Sequence, residues 1–278
     1  MTLLDAIAAV GMTPPRDIAP GRWLRFPGIG KGRSNRAGWC RVITPTLAIF
    51  GDWSSNISHV WRDENHRDDE NSARLLAEAR QREREFHRQQ RERQQQAEST
   101  AIAMIRDAHL TTHPYLRTKG FPDQMGLVKG EKLLVPMRDV RDYDRVLSVQ
   151  EISATGEKRF LAGGRTRGAV YRLRHPRSRQ VALCEGYATG LTLDAALKRL
   201  SGSYSVVICF SAFNLGLVAE SFPDAVVCAD NDESKTGEEA ARRTGLKWCM
   251  PQEVGTDYND LHQAKGIHAV VEELRAAL

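Results

Sequence analysis

The last third of the chain alternates short apolar runs with amphipathic segments, and this alternation limits the possible folds more than any other feature. We predict strands and helices in turn at 181–184, 188–200, 205–210, 213–221, 225–229, 237–244, 246–250 and 267–278. Short apolar strands that alternate with helices form parallel sheets covered by helices. Ligands of such sheets bind beyond the carboxyl ends of the strands. The pattern therefore predicts a Rossmann-like α/β domain and the edge at which a site should lie.

Acidic side chains follow three of the predicted strands. They are Glu185, Asp230, Asp232, Asp257 and Asp260. Because the carboxyl ends of parallel strands share one edge, we expect these carboxylates to lie close together, and unpaired like charges are costly there. Oxygen ligands of this type suit Mg²⁺ or Mn²⁺. A single such acid is more often a helix cap or a turn residue, but a Glu-Gly and an Asp-x-Asp at two strand ends of one sheet predict a metal site.

A basic stretch precedes this region. Residues 158–179 contain no acid and eight cations: Lys158, Arg159, Arg165, Arg167, Arg172, Arg174, Arg177 and Arg179. The glycine-containing loop 163–168 adds backbone N–H groups beside the guanidinium groups, a combination that binds phosphate. A solvated charged surface is the alternative. We predict antiparallel strands at 132–137, 145–152, 158–161 and 169–173, so the stretch belongs to a β meander.

The first sixty residues mix cations with aromatic rings, including Trp23, Arg25 and Trp39. Cations that follow phosphates and rings that stack on bases are typical of single-stranded nucleic-acid binding. The tryptophans are equally compatible with the core of a small domain, for which we predict a helix at 3–10 and strands at 39–44 and 46–50. The segment 28–34 is not a Walker A loop, since Arg25 and Gly32 occupy positions that require glycine and Ser or Thr.

Between these regions, residues 72–107 contain no Gly or Pro and predict one long polar helix without an apolar seam. We therefore predict four parts: a small basic and aromatic α+β domain at 1–65, a linker helix at 66–110, a basic antiparallel region at 111–180 and the α/β domain at 181–278. The five cysteines show no paired spacing, which predicts neither zinc nor disulfides. No apolar run is long enough to span a membrane, and we expect a soluble, cytoplasmic protein.

The motifs resemble a known family. The sequence Glu-Gly-Tyr-Ala-Thr-Gly at 185–190, followed by Asp-Asn-Asp at 230–232, is similar to the toprim domain shared by bacterial-type primases, type IA and type II topoisomerases and certain nucleases. More narrowly, it resembles primases of conjugative plasmids and phages. The stretches at 113–120, 133–137, 158–163 and 256–262 are similar to such proteins, as is Phe-Gly-Asp-Trp at 50–53.

This resemblance implies a DNA primase that makes short oligoribonucleotides on single-stranded DNA from NTPs. Glu185 would act as general acid or base or as a metal ligand, and Asp230 and Asp232 would bind two Mg²⁺ or Mn²⁺ ions, with Asp257 or Asp260 as further ligands. A toprim nuclease and a non-enzymatic single-strand-binding replication accessory protein are the alternatives. A separate helicase or relaxase would be a partner. Residues expected to contact nucleic acid or nucleotide are Lys158, Arg159, Arg165, Arg167, Arg172, Arg174, Lys119, Arg117, Trp23, Arg25 and Trp39.

Overall fold

The structure is a computed structural model that describes residues 1–18, 23–32, 35–53, 57–63, 70–173, 178, 180–200 and 204–277. The chain divides into two compact units, residues 1–89 and 90–278. The first contains an antiparallel sheet and the second a mixed sheet with flanking helices. The predicted α/β class is therefore confirmed.

The first unit is a small α+β domain, as predicted. Its elements are α1 (Leu3–Ala9), β1 (Trp23–Phe26), β2 (Gly38–Thr44), β3 (Leu47–Asp52), β4 (Ile57–Arg62) and the beginning of α2 (Glu70–Arg106). The four strands form an antiparallel sheet in chain order. Helix α1 begins with a capping box, in which the side chains of Thr2 and Asp5 each accept the other's backbone N–H. Ile7, Phe26 and Phe50 lie in the core. Strands β1 and β4 were not among the sequence predictions.

The carboxyl-terminal turns of α2 belong to the second unit. Ala97 and Ala101 are buried there, and Ala101 packs in a cluster with Leu134 and Val149. Small alanine side chains let the helix lie close to the sheet. The sequence did not indicate this packing, because the helix lacks a seam of large apolar residues. The helix matches the predicted one within two residues at each end, but these last turns form part of a core and are not a spacer in solvent.

The second unit is built on one ten-stranded sheet. After α2, its elements are β5 (His109–Thr112), α3 (Pro114–Thr118), β6 (Met125–Lys129), β7 (Lys132–Asp139), β8 (Val146–Ile152), β9 (Lys158–Phe160), β10 (Ala169–Leu173), β11 (Gln180–Cys184), α4 (Tyr187–Leu200), β12 (Tyr204–Ile208), α5 (Ala212–Ala219), β13 (Val226–Cys228), α6 (Thr236–Thr244), β14 (Lys247–Cys249), α7 (Tyr258–Lys265) and α8 (Ile267–Ala277). The strand order is β14-β13-β11-β12-β10-β7-β6-β5, and β8 pairs with β7 and β9.

The parallel and antiparallel parts of this sheet are continuous. Strands β14, β13, β11 and β12 are parallel neighbours. Strand β10 then pairs antiparallel with β12, with Tyr171 opposite Ile208, and also with β7. The basic β region and the α/β region that the sequence separates near residue 180 therefore share one hydrogen-bonded sheet.

Helices α4 and α8 cover one face of the parallel strands. Leu193 and Leu197 of α4 and Val270 and Leu274 of α8 are buried in the same cluster as Ile208. All five cysteines are buried free thiols, and each takes the place of a small apolar side chain. This packing fixes the carboxyl ends of β11 and β13 side by side.

Candidate metal and nucleotide site

Glu185 directly follows β11, at the carboxyl edge of the parallel strands. Its backbone carbonyl accepts the N–H of Phe210 at 2.9 Å. Its carboxylate accepts the N–H of Ala212 at the start of α5, which favours the charged form. Burial nevertheless raises the pKa of Glu185, and the negative charge of Asp232 raises it further. This carboxyl group is therefore easier to protonate than one in water.

Asp230 follows β13, the strand next to β11, and the charge of Asp232 acts on it as it does on Glu185. Burial, together with the charges of Glu185 and Asp257, raises the pKa of Asp230 to about 7, although Lys158 opposes the shift. The Oδ1 atom of Asp230 is buried and has no hydrogen-bond partner. Buried polar atoms without partners are rare, and ions or water often satisfy them. Asp230 is therefore the group in this site that most requires a ligand.

Gly237, in the first turn of α6, allows the helix to approach these carboxylates. A Cβ atom at this position would lie 2.6 Å from the carbonyl oxygen of Asp230 and 3.4 Å from Oε1 of Glu185. The first distance is too short for any side chain. The absence of a side chain therefore allows α6 to pack directly against the backbone of Asp230.

Asn231 fixes the loop between the two aspartates. Its backbone pairs with Thr256, and its side-chain amide donates to the carbonyl of Pro251 at 2.8 Å. Asp232 accepts the hydroxyl of Ser234 at 2.7 Å and the N–H of Thr236 at 3.2 Å. The bonds of Asn231 hold the Asp-Asn-Asp loop against the segment that leads into α7, and those of Asp232 hold it to the start of α6.

Asp257 and Asp260 begin α7, a helix that the sequence did not predict. Asp257 is the N-cap, and its Oδ1 accepts the N–H groups of Asn259 and Asp260, while Asp260 accepts the N–H of Asp257. Oδ2 of Asp257 accepts the hydroxyl of Thr189 at 3.0 Å. The charge of Asp257 acts on Asp230. The structure thus gives both acids a capping role, and it brings Asp257 within electrostatic range of the site.

We define the carboxylate centre as Glu185, Asp230, Asp232 and Asp257, and its residues fit a divalent ion. Its donors are hard oxygens, and one of them is buried without a partner. Within the described residues, no three Asp, Glu, His or Cys side chains are close enough to form a complete ligand set. Mg²⁺ usually keeps several waters and takes one or two carboxylates, so a smaller protein ligand set is sufficient.

The stretch at 113–120 lies against this region through α7. The side chain of Asn259 donates to the carbonyl of Lys119 at 2.9 Å and to the hydroxyl of Thr192 at 3.0 Å. Asn259 is fully buried, so these bonds hold α3 and α4 together. Arg117 is exposed and Lys119 is partly buried. The sequence motifs at 113–120 and 256–262 are therefore packed against α4, the helix that contains most of the motif at 185–190.

The predicted cations of the second unit differ in their environments. Lys158 is exposed on β9, and its charge reaches Asp230. Arg159 forms an ion pair with Glu157 at 2.7 Å, and Arg165 pairs with Asp139. The guanidinium of Arg172 donates to the carbonyl of Val140 and lies over the rings of Tyr143 and Phe222. Arg167 is exposed in the glycine loop. Arg174, Arg177 and Arg179 lie outside the described residues.

Asn214 connects the glycine loop to the carboxyl end of β12. Its buried side chain accepts the N–H of Gly168 at 2.7 Å and donates to the carbonyls of Ala169 and Cys209. The loop that carries Arg165 and Arg167 is thereby attached to the beginning of α5, where Ala212 donates to Glu185.

In the first unit, Trp23, Trp39 and Trp53 form a ring cluster with centroid separations of 5.2 to 6.2 Å. Trp23 is 49% exposed and Trp39 only 5%. The guanidinium of Arg25 lies over Trp53 at 5.8 Å. Trp39 is therefore a core residue, as one of the two interpretations predicted, and Trp23 has an accessible ring whose contact with nucleic acid stays a prediction.

Sequence reasoning missed four residues that shape the site: Thr189, Asn214, Asn231 and Gly237. Thr189 and Asn231 lie inside motifs that it singled out, and their position between recognised acids and glycines was the available signal. Gly237 and Asn214 carry no signal in the sequence, because their roles depend on close approaches between distant segments.

Comparison with known proteins identifies the carboxyl-terminal region. Residues 180–268 match the Toprim domain family. This match covers about a third of the chain and includes Glu185, Asp230 and Asp232, so the predicted toprim region is confirmed.

Similar solved structures are primase fragments. The primase fragment of the bacteriophage T7 primase-helicase protein shares 15% identity, with a TM-score of 0.40, over 53% of this chain and 64% of that chain. A DNA primase domain from Pseudomonas aeruginosa shares 14% identity, with a TM-score of 0.38, over 56% and 54%. The E. coli primase catalytic core shares 16% identity, with a TM-score of 0.36, over 65% and 60%. The chain thus spans less than two-thirds of each of these three structures.

Among the described residues, no helix combines the length and the apolar character required to cross a membrane.

Proposed function

We propose that this protein is a metal-dependent nucleotidyltransferase of the primase type, which joins ribonucleotides into short oligomers on single-stranded DNA. The observation that carries the proposal is the carboxylate pair at the ends of adjacent parallel strands, in which Asp230 keeps a buried oxygen without a partner beside Glu185. The toprim match supports it. So does the resemblance of the motif at 185–190 to primases of plasmids and phages, whose replication or transfer is the process in which we expect it to act.

Asp230 and Asp232 would hold the divalent ions. Asp257 and Asp260 are less suitable ligands because their carboxylates form the capping box of α7, and the second oxygen of Asp257 also accepts the hydroxyl of Thr189. Mg²⁺ or Mn²⁺ bound here would neutralise charge on the triphosphate and lower the pKa of an attacking hydroxyl.

Glu185 would handle the proton of the reaction. The N–H of Ala212 orients its carboxylate, and burial raises its pKa toward the range in which a group both accepts and releases a proton. Gly237 keeps the first turn of α6 close to this carboxylate, because a Cβ atom there would lie 3.4 Å from Oε1 of Glu185.

The cations would hold the nucleic acid. Lys158 is the cation whose charge reaches the carboxylate centre, and Arg167, Arg117 and Lys119 would extend the contact. Trp23 of the first unit, with Arg25 and Arg41 beside the rings, would stack on a base of the single-stranded template. A helicase or relaxase would supply that template in the cytoplasm.

One assay tests the proposal against its alternatives. The full chain is incubated with single-stranded DNA, labelled NTPs and Mg²⁺ or Mn²⁺. We expect new oligomers whose yield falls by about 10²-fold or more in Glu185→Gln, the size of effect seen when a general acid or base is lost. Asp230→Asn is expected to behave alike, whereas Glu272→Gln on the exposed surface of α8 should retain full yield.

Other products point to other functions. Metal-dependent shortening of the DNA, lost in Glu185→Gln, would replace the proposal with a toprim nuclease. DNA binding without synthesis or cleavage would leave a non-enzymatic accessory protein. Full synthesis in Glu185→Gln would remove the proposed role of this residue.

A further inference from the structure

Strand β9 lies beside the carboxylate centre but takes no part in it. Side chains alternate between the two faces of a strand, so Lys158 and Phe160 share one face and Arg159 points to the other. We call the pair Lys158 and Phe160 the β9 face. The ring of Phe160 contacts that of Phe210, whose N–H donates to the carbonyl of Glu185, so this face lies on the side of the carboxylates, where the charge of Lys158 also acts on Asp230.

Phe160 is an aromatic ring left in solvent near charged groups. Its side chain is 44% exposed. Its ring meets that of Phe210 edge-on, with centroids 6.3 Å apart, an arrangement that fixes the plane of both rings. One ring surface is thus held in place and remains accessible.

Phe210 connects this ring pair to Glu185, the residue that follows β11. Its N–H donates to the carbonyl of Glu185 at 2.9 Å. Its φ of 67° is in the left-handed region, which is unfavourable for a bulky residue. Such conformations persist where the surroundings enforce them, and they are concentrated at functional sites. Here the backbone conformation sets the position of the ring that supports Phe160.

We propose that the β9 face binds one nucleotide unit of the substrate, with the nucleobase stacked on Phe160 and a phosphate beside Lys158. The two side chains are two residues apart on one strand, about 6.6 Å, so a base and a phosphate on either side of one sugar can reach both. Stacking on an aromatic ring accepts every base, as a template-directed enzyme requires. This inference rests on the proposed function, since it assigns the substrate to the same site.

The experiment measures binding rather than synthesis. Dissociation constants are determined for the full chain with Ca²⁺ in place of Mg²⁺, using four probes. Two probes carry bases: ATP and an oligodeoxythymidylate of about 12 nucleotides. Two are their base-free counterparts: inorganic tripolyphosphate and an abasic oligomer of equal length. The variants are Phe160→Ala, Phe160→Tyr and, as an exposed apolar control on the distant strand β5, Leu110→Ala, whose wild-type side chain is 63% exposed.

We expect Phe160→Ala to weaken binding of at least one base-containing probe about tenfold, which is the loss of one base–aromatic stack. Phe160→Tyr should restore it, and both base-free probes should bind unchanged. A loss confined to ATP assigns the ring to the incoming nucleotide, and one confined to the oligomer assigns it to the template.

Three results would overturn the inference. They are equal affinities in Phe160→Ala and Leu110→Ala, an equal loss for the base-free probes, and wild-type protein that does not distinguish probes with and without bases. The proposed function fails separately, because a protein that stacks bases but synthesises nothing would retain the β9 face and lose only the primase assignment.

Discussion

The carboxylate centre and the described part of the basic stretch, residues 158–172, are both concentrations of like charge, but their charged groups differ in how many protein partners they have. Most of the cations in the basic stretch have protein partners, such as Glu157 for Arg159 and Asp139 for Arg165. In the carboxylate centre, Asp230 keeps a buried oxygen without a partner, and its neighbours are further acids. Charge counted along a sequence therefore does not indicate a binding site. A site is indicated where the fold leaves the charge unsatisfied.

The largest effect expected from this contrast comes from adding a side chain where α6 packs against the acids. In Gly237→Ala the new methyl group would lie 2.6 Å from the backbone carbonyl oxygen of Asp230, so α6 and the segment that carries Asp230 must move apart. We expect synthesis to fall more than tenfold and the free energy of unfolding to fall by about 1–3 kcal/mol, a typical cost of overpacking. Steady-state rates and thermal unfolding measure both.

Gly216→Ala in α5 is the matched control, because no heavy atom lies within 4 Å of its added Cβ. It should stabilise the protein by about 0.5–1 kcal/mol, since alanine is the better residue inside a helix. Equal behaviour of the two variants would show that the carboxylate centre does not depend on the close approach of α6.

A second prediction concerns the stability of the metal-free protein. In chelator at pH 8, Asp230 is charged in the folded state, above its pKa of about 7, and burial beside Glu185 makes that charge costly. Asp230→Asn removes it and should raise the free energy of unfolding by at least about 1 kcal/mol, or about 2–4 °C in Tm. The gain should shrink as the pH falls from 7 toward the ordinary pKa of 3.8, because Asp230 is protonated and uncharged in the folded wild type over this range.

Addition of Mg²⁺ should reverse this order by stabilising the wild type more than Asp230→Asn. Glu272→Gln, on an exposed surface, should match the wild type in both conditions. An Asp230→Asn variant that unfolds more easily than wild type in chelator would contradict the strain that we attribute to this carboxylate.

The smallest effect separates two adjacent cations. Lys158→Ala should reduce the salt dependence of single-stranded DNA binding by about one phosphate contact, a slope change of about 0.7. Arg159→Ala should leave the slope unchanged and alter the affinity less than about twofold, because Arg159 lies on the opposite face of β9 and pairs with Glu157 in solvent. Titrations at several salt concentrations measure both variants. Equal slopes in the two variants would mean that the basic stretch binds as a diffuse surface.

Much of the fold could be predicted from the sequence because the buried strands have a recognisable apolar pattern. Strands β11, β12 and β13 are short apolar runs bounded by polar residues, and each was located within two residues of its observed ends. Helix α7 was missed because its eight residues are mostly polar, and the acids at its start resembled ligands more than caps. Strands β1 and β4 were missed because their exposed residues give no clear alternation.

The candidate site was predictable as a set of residue types at strand ends, but its contacts were not. The motif at 185–190 indicated Glu185, whereas the bond from Thr189 to Asp257 joins residues 68 positions apart. The approach of Gly237 to Asp230 and the role of Asn214 likewise depend on how helices pack on the sheet. No local pattern carries that information.

The pairing of β10 with β12 determines how this protein can be dissected. A fragment restricted to residues 180–268 would lack β10 and most of α8, so it would expose the whole edge of β12 and uncover the surface on which Val270, Val271 and Leu274 pack. An unprotected edge strand invites aggregation. Keeping this region soluble requires the preceding β strands, because a chain trimmed to residues 180–268 should aggregate into inclusion bodies. Gene fusion or recombination that transfers this region would likewise need to transfer those strands.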